Sequence, residues 1–171
     1  MIKGRLKRTE TGIVISRDIL ENQAKYIYLS LGSNLGNKKI NLEKSKYKLI
    51  QKRINIIKSS DYYESLSWPD ENQPKFLNIV LQVATNISPV KLLEVSKEIE
   101  ISLGRKKRYK NAPRECDIDI IDFKGKKLSK KIILPHPRMH KRNFVLLPLF
   151  ELNRNWIHPI SKYSIKRLIL S

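Results

Sequence analysis

Residues 113–120 read PRECDIDI. Successive side chains of a strand point to opposite faces, so Asp117 and Asp119 share one face while Cys116, Ile118 and Ile120 share the other. Two like charges placed this way, roughly 7 Å apart between Cα positions, repel unless water or a cation lies between them. Mg²⁺ prefers oxygen ligands in octahedral geometry and usually takes one or two carboxylates, with phosphates and waters completing the shell. The pair is therefore suited to metal ions that also hold a nucleotide, whereas a bare DxD read without its context is a solvated strand face. Asp122 falls on the opposite parity and reads as a surface or turn carboxylate, and Cys116 reads as a small apolar filler.

The context is a basic loop, RKKRYKNAPR, just before the strand. Arginine binds phosphate oxygens bidentately through its planar fork, and phosphoryl-type transfers need positioned cations more than a covalent nucleophile. Arg105 and Arg114 bracket the loop, and Arg108 is a third candidate contact. Lys106, Lys107 and Lys110 read as a solvated charge run. Because the loop joins a helix end marked by Gly104 to the carboxylate strand, it is placed to close over bound phosphates and exclude water. Elsewhere Asn78 interrupts the apolar run FLNIVLQVATN, where a buried amide offers both a donor and an acceptor.

The chain has 171 residues, 40% of them hydrophobic, enough for one domain with a real core. A single cysteine excludes an intrachain disulfide and points to a reducing compartment; no Cys/His cluster has zinc-site spacing. No apolar run approaches the ~18 residues of a membrane span, and TGIVISRDIL is broken by Arg17 and Asp18 before it could be a signal-peptide core. A cytoplasmic protein without a membrane partner is expected. Thirty-five Lys and Arg against 16 Asp and Glu leave a charge of +19, which favours polyanionic partners without choosing among them.

Residues 1–24 are polar and basic with little periodicity and read as an N-terminal extension, or loosely attached arm, ahead of a domain at 25–171. KYIYLSLGSN reads as a strand running into a turn, and NKKINLEKSKYKLIQK as a helix. INIIKSSDYYE and FLNIVLQVATN read as strands separated by SLSWPDENQPK. Ser88 as N-cap and Pro89 at N1 open a helix with Leu92, Val95 and Ile99 on its apolar face. With CDIDIIDF the order becomes βαββαβ, an α+β pattern of the ferredoxin-like type, followed by further C-terminal strand and helix elements.

Taken together, YLSLGSNLGN, FLNIV, SLGRKKRYKNAPRECDIDI and LPHPRMHKRNFVLLPLFEL resemble the 6-hydroxymethyl-7,8-dihydropterin pyrophosphokinase family of folate biosynthesis, in order and from about Lys25 to the last residue. GSN alone is a weak motif; LGR with PRxxDIDI and PHPRMxxR is specific. The resemblance implies transfer of the pyrophosphoryl group of ATP to the pterin hydroxymethyl with release of AMP, using two Mg²⁺ ions on Asp117 and Asp119. It implies catalytic roles for Arg105 and Arg114, and ATP contacts by Glu100, Arg108, Lys131, His136 and Arg142. For the pterin it implies stacking by Phe76 and Phe144, edge recognition by Asn78, and a lining loop with Ser65, Leu66 and Trp68. The chain departs from many relatives at Asn111 and Ala112, where a Trp precedes the GPR-like tripeptide, and at Pro137, where a Tyr sometimes follows the His. A monomer is expected, with ATP and the pterin as partners and no specific nucleic acid.

The alternative from a different class is a basic ferredoxin-like RNA-binding module, which would stack bases on aromatics displayed from its sheet. The sequence has no RNP1-like run of the form K/R-G-F/Y-G/A-F-V-x-F/Y.

Overall fold

Every residue of Ile27–Ser33 is buried, which requires a central strand covered on both faces. The computed structural model describes residues 8–9, 12–13, 17–106 and 109–171. In chain order these form β1 (Arg8–Thr9), β2 (Gly12–Ile13), α1 (Arg17–Gln23), β3 (Ile27–Ser33), α2 (Lys38–Gln51), β4 (Asn55–Ser59), β5 (Tyr63–Ser65), β6 (Phe76–Ala84), α3 (Pro89–Ser102) and β7 (Asp117–Phe123). After these come β8 (Leu128–Lys130), β9 (Ile132–Leu134), a 3₁₀ turn (Met139–Lys141), α4 (Asn143–Leu152) and α5 (Ile165–Ile169). No helix among the described residues is long and apolar enough to cross a membrane.

The main sheet runs β4-β6-β3-β7, all antiparallel, with β5 also on β6. This is the strand order of the expected ferredoxin-like α+β core. Both core helices begin as the sequence dictates: Asn37 caps α2 by accepting from the Ile40 N–H, and Ser88 caps α3 by accepting from the Lys91 N–H with Pro89 at the start. Beyond α3, Gly104 takes φ +105°, a backbone conformation that favours glycine.

The run INIIKSSDYYE, expected as one strand, divides into β4 and β5. Ser60 causes the break, because its Oγ takes the Val80 N–H at 2.9 Å where a carbonyl would normally accept, and the Asp61 N–H turns to the Glu151 carboxylate.

Strand alternation sorts the core into two layers. Leu29, Leu31, Ile79, Leu81, Ile118 and Ile120 face α2 and α3, whose Leu42, Leu49, Leu92, Val95 and Ile99 are buried against them. On the other face Tyr28, Val80 and Ile121 meet Met139, Val145, Leu146, Leu149 and Trp156. The helices α4 and α5 thus cover only the part of that face around the Tyr28 end of β3, and the part around Gly32 is left free.

Asp122 is a correction to the sequence reading. The β3 to β7 register shifts between Tyr28 and Leu29, whose partners are Asp122 and Ile120, so Ile121 is a bulge residue. The extra residue reverses parity, and Asp122 becomes fully buried beneath Trp156. Its Oδ2 accepts from Trp156 Nε1 (2.8 Å) and Gln23 Nε2 (3.1 Å), and its Oδ1 from the Gly125 N–H (2.9 Å). Gln23 also exchanges two hydrogen bonds with the Ile157 backbone. The C-terminal end of the segment read as an extension is therefore docked on the core.

Removing this acceptor leaves two buried donors and the half-buried Gly125 N–H unpaired, so Asp122→Ala should lower unfolding stability by about 2–4 kcal/mol. Urea denaturation measures it. A variant within about 0.5 kcal/mol of the parent would show that the network carries little weight.

Candidate active site

On the uncovered part of the sheet, antiparallel register places side chains in rows. One row runs Asp117, Gly32, Asn78, Tyr63 across β7, β3, β6 and β5; the neighbouring row pairs Asp119 with Ser30. A Cβ on residue 32 would lie 3.1 Å from Asn78 Oδ1 and 3.3 Å from Phe76 Cδ1, so glycine forms a low floor between the carboxylate end and the amide end. Above it is a cleft of about 650 Å³.

At one end stand Asp117, Asp119, Arg105, Arg114, His136 and Arg142. Arg105 Nη1 donates to Asp117 Oδ1 at 2.8 Å and Arg114 Nη1 to Oδ2 at 3.2 Å. Arg142 Nη1 donates to Asp119 Oδ2 at 3.3 Å, and His136 Nε2 lies 3.7 Å from the same oxygen. Burial pushes the Asp117 carboxyl up, but Arg114 and then Arg105 outweigh it and hold the group below the usual carboxylate range. Folded-state depression means that its contribution to stability is present above the unfolded pKa of about 4 and is lost as pH falls through the folded value. At neutral pH Asp117 is a full carboxylate. Burial, against the pull of Asp119, lowers His136. His136 Nδ1 accepts the Arg138 N–H at 3.2 Å, which assigns the ring proton to Nε2, on the side of Asp119.

The donor set fits magnesium. Two carboxylates on one face supply hard oxygens, and among the described residues no group of three or more His, Cys, Asp or Glu completes an all-protein cage, which leaves coordination positions for phosphates and water. Arg114 Nε is buried without a hydrogen-bond partner, an orphan donor that an anion would satisfy.

The other end is apolar and amide-lined: Ser65, Leu66, Trp68, Phe76, Asn78 and Phe144. Asn78 Nδ2 donates to the Tyr63 carbonyl (3.1 Å) and Ser65 Oγ (3.0 Å), leaving Oδ1 without a protein donor among the described residues. Trp68 is 73% exposed and Leu66 51%, so both form a rim and not a floor. The Arg142 guanidinium lies 5.6 Å from the centroid of the Phe144 ring and joins the two ends.

Two sequence-predicted residues lie elsewhere. Glu100 is 1% exposed and lines an adjoining cavity of about 440 Å³; its carboxylate accepts from the Ile118 N–H (2.8 Å), from Lys97 Nζ and from Arg105 Nη1. Glu100 thus ties α3 to the carboxylate strand and orients Arg105. Lys131 sits exposed between β8 and β9 and lines neither cavity. Arg108 lies outside the described residues. Conversely, Lys97, Arg138 and Lys141 line the cleft and were not singled out. The last two flank Met139 and His140 in the PHPRMHKR run, at a spacing of three that a 3₁₀ turn places on one side.

A family model described as 7,8-dihydro-6-hydroxymethylpterin-pyrophosphokinase matches residues 28–154. The chain is similar to the 2-amino-4-hydroxy-6-hydroxymethyldihydropteridine pyrophosphokinase of Aquifex aeolicus, with 43% identity over 141 residues, 82% of this chain and 88% of that one. The protein of the same name from Bacillus subtilis is 37% identical over 127 residues, 73% of this chain and 76% of that one. A folic acid synthesis protein of Pneumocystis carinii is 36% identical over 167 residues, which is 96% of this chain but 22% of that longer protein. Among solved structures, a Plasmodium falciparum HPPK-DHPS matches with a TM-score of 0.65 at 17% identity, over 91% of this chain and 47% of that one. An HPPK-DHPS in complex with substrates matches with a TM-score of 0.64 at 17% identity, over 85% and 43%. At that identity the structural likeness concerns the fold.

The parity that brings Asp117 and Asp119 into the cleft places Cys116 behind it, fully buried, with Ser45 Oγ 3.0 Å from its sulfur. Burial pushes the thiol up to about 12. The native protein should therefore not react with Ellman's reagent at pH 8 and should release one equivalent once unfolded in guanidinium. Rapid labelling of the native protein would contradict this placement.

Proposed function

The chain belongs to the 7,8-dihydro-6-hydroxymethylpterin-pyrophosphokinase family and transfers the pyrophosphoryl group of ATP to the hydroxymethyl group of the pterin in folate synthesis; we propose the roles its residues play. The observation that carries them is the row Asp117, Gly32, Asn78, which sets a carboxylate pair ringed by cations and an aromatic, amide-lined pocket at two ends of one cleft.

Asp117 and Asp119 would hold two Mg²⁺ ions, which would supply charge neutralisation to the triphosphate. Arg142 and the neutral His136, whose Nε2 proton faces Asp119, hold phosphate oxygens. Lys131 and Arg108 are assigned to the nucleotide side on their motif positions, and Glu100 belongs there through its hold on Arg105 and Lys97. The pterin lies between Phe76 and Phe144 under the Leu66 and Trp68 rim, and Asn78 with Ser65 reads its polar edge. The hydroxymethyl oxygen attacks the β-phosphorus and gives up its proton to water, and the bond from that phosphorus to the oxygen bridging the α-phosphate breaks, so AMP leaves. Arg105 and Arg114 donate to the oxygens on which charge grows, an interaction strongest in the transition state. The working unit is a monomer in the cytoplasm, its domain at 25–171 preceded by an extension, 1–24, of unassigned function whose Gln23 end docks on the core.

The RNA-binding alternative is not favoured. An RNA-binding sheet of this topology stacks bases on an open face, and here α4 and α5 cover much of that face at Tyr28, Val80 and Ile121.

Asp117→Ala and Asp119→Ala should each cut turnover at least about a hundredfold with the fold intact. Arg105→Ala and Arg114→Ala should lower kcat by about 10² to 10³ while pterin affinity stays within a few-fold. Asn78→Ala should first raise the KM for the pterin. Steady-state kinetics with ATP, Mg²⁺ and 6-hydroxymethyl-7,8-dihydropterin decide this; full activity in either Asp variant, or lost pterin affinity with unchanged kcat in the Arg variants, would overturn these roles.

A further inference from the structure

Six serines are buried among the described residues, and five of them satisfy their hydroxyl within the protein. Ser45, Ser60, Ser67 and Ser96 each donate to a backbone carbonyl at 2.6–2.8 Å, and Ser33 Oγ accepts from Asn41 Nδ2 at 3.2 Å. Ser30 is the exception: its Oγ has no hydrogen-bond partner among the described residues, and the residue lines the cleft. It stands on β3 between Tyr28, which belongs to the layer under α4, and Gly32, the low floor of the cleft. Its register partners are Val80 on β6, in the same apolar layer as Tyr28, and Asp119 on β7. An apolar side chain at residue 30 would continue that layer without polar cost, whereas a buried hydroxyl left without a partner is unfavourable. Asp119 is only half used: Arg142 Nη1 and His136 Nε2 both address its Oδ2, at 3.3 and 3.7 Å, and its Oδ1 accepts from none of the described residues. Residues directly opposite on one face of two antiparallel strands have Cβ atoms about 4.5–5.5 Å apart, so the free hydroxyl stands beside the carboxylate that has an oxygen to spare.

We propose that Ser30 is a positioning residue of the metal site: its hydroxyl hydrogen-bonds a water in the coordination shell of the divalent cation that Asp119 would hold. Mg²⁺ gives up its waters reluctantly, so an ion on one or two carboxylates keeps several of them, and each has protons to donate. Ser30 Oγ accepts such a proton, and its own proton is left for an oxygen on the same side. Val80, on the other side of Ser30, offers neither donor nor acceptor, so the hydroxyl finds its partners towards Asp119. Groups that hold the outer face of a metal's shell orient its ligands and raise its affinity, and losing one typically costs about 10- to 100-fold in metal binding. The inference rests on reading Asp117 and Asp119 as the metal carboxylates.

The test is a Mn²⁺ titration of the full chain, read by electron paramagnetic resonance with saturating α,β-methylene-ATP. Ser30→Ala should loosen the weaker of the bound ions by about tenfold or more, while its thermal unfolding temperature is no lower than the parent's. A serine with a merely structural role would move the unfolding temperature and leave metal affinity alone. Ser30→Thr, which keeps the hydroxyl, should bind the ions within about threefold of the parent. In steady-state kinetics the Mg²⁺ concentration for half-maximal turnover should rise in Ser30→Ala by the factor seen in the titration. A Ser30→Ala protein that binds both ions as tightly as the parent, or a folded Ser30→Thr protein that binds them as weakly as Ser30→Ala, would overturn the inference while leaving the carboxylate assignment intact. A parent protein that holds only the ion carried by the nucleotide would overturn that assignment, and the inference with it.

Discussion

Two carboxylates on the same face of one strand cannot stand in a half-buried site uncompensated, and the surroundings of β7 answer that constraint. Arg105 and Arg114 each take one oxygen of Asp117, Arg142 takes Asp119, and Glu100, buried behind them, fixes Arg105. The charges are arranged in shells: a carboxylate pair, a ring of guanidinium groups, then a buried carboxylate that also accepts the Ile118 N–H between the two aspartates. Electrostatic preorganisation of this kind is what a reaction dominated by developing negative charge requires.

The sheet sets that local arrangement at one end of a cleft whose other end is apolar and amide-lined. Antiparallel register puts Asp117 opposite Gly32 and Gly32 opposite Asn78, so the distance between the two ends is set by strand spacing and not by loop conformation. Residue 32 has no side chain to stand between them, since a Cβ there would press on Asn78 and Phe76. The opposite face is occupied by α2 and α3, and α4 and α5 fill the near face only as far as Val80 and Ile121. The active face is the part of the sheet that the helices leave uncovered.

Local signals made much of this legible in the sequence. The Asp pair, the Ser88 cap, the glycine after α3 and the alternation at the start of β7 depend on neighbours a few residues away, and the fold shows them where they were expected. Twelve of the singled-out residues line one cleft: strand parity picked out the Asp pair, the basic loop its two arginines and the interrupted apolar run Asn78, while the family resemblance implied the rest. What could not be read depends on distant partners. Ser60 breaks a strand only because Val80 offers it an N–H, and Asp122 is buried only because a bulge at Ile121 reverses parity and Trp156 and Gln23 close over it. Asn34 belongs to the weak GSN motif, and its side-chain hydrogen bonds to Ser67 Oγ and the Arg114 N–H, 33 and 80 residues away, have no trace in local pattern.

The central claim is that Asp117 and Asp119 are the protein's anchor for the metal ions that accompany the nucleotide. Counting bound Mn²⁺ by electron paramagnetic resonance, with saturating α,β-methylene-ATP and no pterin turnover to interpret, tests it directly. The parent chain should hold two ions per bound nucleotide, and the double variant Asp117→Asn, Asp119→Asn at most the one that the nucleotide carries by itself. Two ions retained in the folded double variant would contradict the account.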